Sequence, residues 1–283
     1  MSDHRTKTRI LTLLACCLAA GSTVAYGQGV YSAGLFELGD GLAPAGFAGA
    51  ADILGTADQP GPDWADLFTA AGGPQGGVRG AVFIADDVSL GSGFEGTALA
   101  GSPDLVRNGT VAAAHDIGNA FAYSTRDAAG HTVLYLGAER LSDGDSYLEF
   151  ELNQAVVHLG HGGYGHGAPW KVLGTRAAND ALVRLDFASG TLASASFYRL
   201  SDGQWQLVAA VAGEGCDEAE TLCAISNAAA IDGGPWHSGD IAPGRFVEVG
   251  VNLGALLGAE PALTSIRIRT PEDIAFGYFA EGN

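Results

Sequence analysis

From residue 78 onward, apolar and polar positions alternate in short runs. Leu148, Phe150 and Leu152 interleave with Tyr147, Glu149 and Glu151, and Ile266 and Ile268 interleave with Ser265, Arg267 and Arg269. A period of two belongs to a strand, whose successive side chains point to opposite faces. On this pattern Glu149 and Glu151 form the wet face of a half-buried strand. Similar runs occupy 78–85, 120–125, 132–139, 147–157, 182–187, 193–200, 204–212, 245–253, 264–269 and 274–279, with Gly, Asp, Asn or Pro between most of them. Such punctuation predicts strands joined by turns. Arg-Leu-Ser-Asp-Gly occurs at 140–144 and again at 199–203, each time between two runs. Asp-Gly suits a tight turn in which both central residues need positive φ, so both copies are expected at hairpin tips.

Helical signals are few. Asp63 precedes Trp64-Ala65-Asp66-Leu67-Phe68, where a carboxylate favours a helix start, and 252–257 suggests a second short turn. Segments 39–62 and 86–118 are rich in Gly, Ala and Asp without periodicity, and are expected to be long surface loops. Many short strands in one unbroken chain predict an all-β protein, a single antiparallel β-sandwich or jelly-roll domain.

The first 27 residues set the expected compartment. Arg5, Lys7 and Arg9 precede the apolar run 10–20, and small residues follow as far as Ala25 and Gly27. That order predicts a signal peptide at 1–27 and a domain at 28–283 that is secreted, periplasmic or on the cell surface. Gly21, Ser22 and Thr23 interrupt the apolar run before it reaches the roughly 20 residues of a membrane span, and no later segment is long enough. Leu13-Leu14-Ala15-Cys16 has the form of a lipoprotein box, but cutting there leaves too little apolar sequence for export.

Charge narrows the partners. The chain carries 14 basic and 32 acidic residues, a net charge of −18. Beyond the leader Lys171 is the only lysine. No basic stripe exists to hold a phosphate backbone, which excludes nucleic acid. Of four cysteines, Cys16 and Cys17 lie in the leader, leaving Cys216 and Cys223 as an expected disulfide.

Four candidate sites emerge. His158, His161 and His166 share a Gly-rich stretch and form a candidate zinc or copper site, against the alternative of a solvated loop. Asp143 and Asp145 are a candidate calcium pair in an oxygen-rich loop. Glu149 and Glu151 have the spacing of paired carboxylates, although alternation alone accounts for them. Trp170 and Trp236 lie in Gly/Pro-rich segments and are candidate ligand contacts, whereas Trp64 and Trp205 are expected to be core anchors. No Gly-x-Ser-x-Gly and no His-Glu-x-x-His is present. Two Gly-x-Gly-x-x-Gly matches, at 91–96 and 160–165, open no helix and do not indicate a dinucleotide site.

Several stretches carry a resemblance: Phe36-Glu37-Leu38, the 62–68 segment, Asn119 to Tyr123, Gly130 to Arg140, Cys223 to Asn227, Pro235-Trp236 and Phe246 to Leu253. Together they resemble a functionally uncharacterised family of exported bacterial surface proteins with an amino-terminal β-rich domain. The resemblance implies an extracytoplasmic, β-rich protein and supplies no catalytic residues. The chain departs from that pattern at 157–173, where the Gly/His-rich insert stands. The expected function is a non-catalytic binding or structural domain whose partner is a glycan, a surface protein or its own copies. The alternative is a metal-binding protein or hydrolase using the loop at 158–166.

Overall fold

A computed structural model of the chain describes residues 29–30, 35–36, 38, 61–85, 92–95, 104–107, 111–161 and 170–280. The strands are β1 (Ala81–Ala85), β2 (Ser92–Glu95), β3 (Asp104–Arg107), β4 (Ile117–Arg126), β5 (Thr132–Arg140), β6 (Ser146–Asn153), β7 (His158–His161), β8 (Trp170–Leu173) and β9 (Ala181–Ala188). They continue with β10 (Thr191–Ser201), β11 (Gln204–Ala212), β12 (Gly215–Cys216), β13 (Leu222–Ser226), β14 (Ile231–Asp232), β15 (Asp240–Ile241), β16 (Phe246–Asn252), β17 (Ser265–Arg269) and β18 (Ile274–Tyr278). Two short helices, α1 (Trp64–Leu67) and α2 (Leu253–Leu257), start at Asp63 and Asn252, whose side chains accept backbone amides as caps. Every run marked by alternation or apolarity contains a strand.

The fold is all-β and sandwich-like. One six-stranded antiparallel sheet runs β1-β4-β5-β16-β13-β12, and a second runs β11-β10-β9-β6-β17-β18. Their facing sides meet in the main core, where Leu134, Leu136 and Val249 of the first sheet join Phe150, Val183 and Ile266 of the second. Leu148, Phe150 and Leu152 all point into it, as their spacing predicts.

Unlike a simple sandwich, the outer face of the first sheet is also buried. Val30, Phe36, Leu38, Trp64 and Phe68 form a second core against Phe121 and Tyr135. Trp64 lies over Gly137, where even a Cβ would come within 3.0 Å of the indole. Its Nε1 donates to Glu248 Oε1 at 2.7 Å, so the one polar atom of the ring is satisfied. Glycine at 137 thus gives the indole its close seat: a Cβ there would require the tryptophan to give by a few tenths of an ångström.

Three expectations are corrected. The stretch 86–118 contains strands β2 and β3, which join β8 and β7 in a four-stranded sheet. The same pairing makes 158–161 and 170–173 strands of a hairpin within the Gly/His-rich insert. β2 pairs with β3 and β7 with β8 close in sequence, but the two pairs are joined through β3 and β8, which are distant in the chain and which local periodicity does not report. The two pentapeptide copies also differ. At 199–203, Asp202 (φ 51°) and Gly203 (φ 74°) make the two-residue turn between β10 and β11. At 140–144 the chain instead leaves the first sheet for the second, because β5 and β6 belong to different sheets.

Cys216 and Cys223 stand directly opposite on β12 and β13 and are joined as a disulfide. Closing so short a loop contributes at most ~2.5 kcal/mol. Adding reductant is expected to lower the denaturation midpoint within that amount while the domain stays folded. Circular dichroism showing complete unfolding at ambient temperature would contradict this.

Candidate functional site

The candidates fall in different parts of the fold. Asp143 and Asp145 lie in the crossover between the sheets, where Arg245 Nε binds Asp143 Oδ1 at 3.2 Å and the Ser189 amide binds Asp145 Oδ1 at 2.7 Å. Both carboxylates thus already serve the corner. His158 is exposed at one end of β7, opposite Leu173, and His161 is at the other end, opposite Trp170. His166 lies outside the described residues, as do residues 1–28, where the signal peptide is expected. Among the described residues no group of three or more His, Cys, Asp or Glu is placed to hold a metal ion. Trp170 is the first residue of β8 and pairs with Leu105 as well as His161.

Two tryptophan assignments change. Trp236 is a half-buried packing residue, edge-on to Phe121 at 5.4 Å between ring centroids, with Nε1 donating to the Thr69 carbonyl at 3.0 Å. Its Gly/Pro-rich surroundings suggested exposure, but the second core reaches out to cover it. Trp205 is only half-buried and lies on an edge strand, beneath the Arg176 guanidinium at 5.5 Å. A strand position does not imply a core position when that strand is at the sheet edge.

The largest departure from expectation is at Glu149 and Glu151, which are buried rather than wet. Cross-strand register explains why. Glu149 opposes Arg184 on β9 and Arg269 on β17, and Glu151 opposes Arg267 on β17. Arg184 Nη1 reaches Glu149 at 3.0 Å, and Arg269 also binds Glu149 directly. Arg176 grips Glu151 with Nε and Nη2 at 2.8 and 2.9 Å, and Arg267 adds a further contact. Burial alone would raise the Glu151 carboxyl, but the Arg176 hydrogen bond and the charges of Arg267, Arg176 and Arg269 hold it below its ordinary value. Glycoside hydrolysis needs one carboxyl that keeps its proton near neutral pH. Glu151, held ionised and gripped by two arginines, is not suited to that role.

A concave surface lies elsewhere. A cleft of about 560 Å³ opens where the segment before β1, the end of β4 and the segment after α2 meet. Arg79, Tyr123, Thr125, Arg126, Pro261 and Leu263 line it. Arg126 donates to the Gly130 carbonyl at 2.7 Å and to Glu260 at 3.3 Å, while Glu260 also accepts the Thr132 amide at 2.8 Å. Arg79 is exposed and makes no hydrogen bond or ion pair among the described residues. The chain matches no protein-family model, no curated protein and no solved structure.

Sequence alone did not mark the cleft. Its walls come from segments more than a hundred residues apart, and Arg79 stands alone between Val78 and Gly80. Only the folding of β4 and β5 against the 258–264 segment brings them together.

Proposed function

We propose that this protein is a non-catalytic binding domain acting outside the cytosol, and that it holds an acidic glycan in the cleft beside Arg79. The single observation behind this reading is an exposed guanidinium on a cleft wall, with no hydrogen bond or ion pair among the described residues. A planar guanidinium matches a carboxylate through paired hydrogen bonds. Tyr123, Pro261 and Leu263 offer apolar surface for a sugar ring, and the Thr125 hydroxyl offers a partner for its hydroxyl groups. The leader and the disulfide favour the extracytoplasmic placement, and the arginine-bound Glu149 and Glu151 favour binding over hydrolysis.

The test is a glycan array with acidic and neutral members, followed by titration of Arg79→Ala. Hydrogen bonds to a charged group contribute roughly 1.5–3 kcal/mol, so the variant should bind acidic glycans at least ~10-fold more weakly. Its melting temperature should not change, because Arg79 is exposed. Equal binding by variant and wild type, or no preference for acidic over neutral glycans, rejects the reading.

A further inference from the structure

Resting on the glycan reading of the cleft, we infer that its ligand is a chain of uronic acids, read at two acidic groups on adjoining sugars. The cleft exists because two paired strands end at different places. Strand β1 starts at Ala81, opposite Tyr123 on β4, and the Ser124 amide then bonds the Gly80 carbonyl at 3.0 Å. Gly80, at φ 74°, turns the preceding chain away. Beyond that point β4 runs on through Thr125 and Arg126 with only β5 beside it. Backbone groups alternate in direction along a strand, so those of Arg126 point as Ser124 does, to the side that β1 leaves open. Arg79 lines the same space from the segment before β1. It stands one residue before the Gly80–Ser124 bond, and Arg126 stands two residues after it. Because the strands are antiparallel, both positions fall on the same side of that bond, so one ligand meets both cations.

Both arginines keep donors for a ligand. Arg79 makes no hydrogen bond or ion pair among the described residues. Arg126 is paired, but through Nη1 alone, which binds the Gly130 carbonyl and Glu260. Its Nε and Nη2 have no hydrogen-bond partner among the described residues, and that edge of the fork receives a carboxylate side-on. Glu260 is itself tied to the Thr132 amide, so the pair orients the guanidinium without using up its donors. The Arg126 and Glu260 side chains are 57% and 37% exposed, where solvent weakens their attraction and a second carboxylate can compete for the cation. The cleft lining includes no Asp or Glu, in a chain that has 32 of them. One carboxylate fills one guanidinium edge, so engaging both arginines takes two. Tyr123 gives the sugar rings a fixed apolar surface, because its ring is stacked on Tyr135 at 6.4 Å and flanked by Phe36 at 6.2 Å. About 560 Å³ is the size of site that takes a drug-sized molecule, such as a short run of sugars.

Calorimetric titration with galacturonic acid, its dimer and its trimer, alongside the matching galactose oligomers, tests the inference and needs no variant for its first readout. The dimer should bind at least ~10-fold more tightly than the monomer, since it adds a second charged, hydrogen-bonded contact. The trimer should add little, because two cations line the cleft. Arg126→Gln keeps a donor for the Gly130 carbonyl without the charge, and should bring the dimer down to the affinity of the monomer. Its melting temperature should match wild type, as the ion pair it removes is exposed. A dimer that binds no more tightly than the monomer overturns the inference, and so does an Arg126→Gln variant that keeps the dimer's advantage. In either case weaker monomer binding by Arg79→Ala leaves the acidic-glycan reading standing. Equal binding of uronic acids and galactose oligomers sinks that reading and the inference with it. If no uronic acid binds at all, the inference alone is overturned, and the wider acidic array decides the reading.

Discussion

Glu151→Ala is expected to destabilise the domain by roughly 3–5 kcal/mol, the cost of stranding a buried partner charge. Arg267 is 1% exposed and relies on Glu151 as its carboxylate, and Arg176 would lose both of its hydrogen bonds to that side chain. The effect should appear as a lower midpoint in urea with an unchanged slope. A companion variant separates lost charge balance from lost packing. Glu151→Leu combined with Arg267→Met replaces the pair with apolar groups of similar size, and should recover much of the loss, since such replacements are often neutral or better. If Glu151→Ala costs no more than a surface substitution, the pair is not stranded by the change and this account of the outer face fails.

The same carboxylate sets an acid limit. Because the folded state holds Glu151 below its ordinary value of 4.5, its contribution is complete above that pH and drains away as the pH falls further. Asp116 acts in the opposite sense. Burial, and then the charge of Asp273, push it up to about 6 from 3.8, so its carboxylate opposes folding above about pH 6 and that penalty lifts on acidification. Together these groups predict that urea midpoints hold or rise slightly from pH 7 towards 5, then fall below about 4.5. A steady decline starting near pH 6 would contradict this.

Trp64→Ala should be comparably damaging, at roughly 3–5 kcal/mol, because it removes the largest side chain of the second core. Trp64 touches Phe36 and Phe121 at centroid distances of 4.5 and 5.2 Å and joins the amino-terminal segment to the sheet. Its loss should loosen that segment first, so limited proteolysis is expected to cut before β1 while the two main sheets stay protected. Trp64→Phe keeps most of the ring volume but loses the hydrogen bond to Glu248, and should cost about 1.5–3 kcal/mol. A Trp64→Ala variant as resistant to protease as wild type would show that the segment is held by other contacts.

Sequence carried the elements that repeat a local pattern. Period-two runs such as Tyr147 to Leu152 became strands with the predicted residues in the core, Asp63 and Asn252 capped short helices, and Cys216 and Cys223 joined. Each of those outcomes follows from residues close together in the chain. What lay opposite each face was not local. Glu149 and Glu151 were correctly placed away from the core, yet no pattern within β6 announced that β9 and β17 would set arginines against them. Trp236 and Trp205 are both half-buried, where exposure was expected for the first and a core position for the second, since burial depends on which segment covers a face and which strand ends at an edge. The cleft beside Arg79 likewise exists only once distant segments are assembled. Alternation tells a side chain which side of its strand to occupy; only the packed sheets decide whether that side meets water, another layer or an opposite charge.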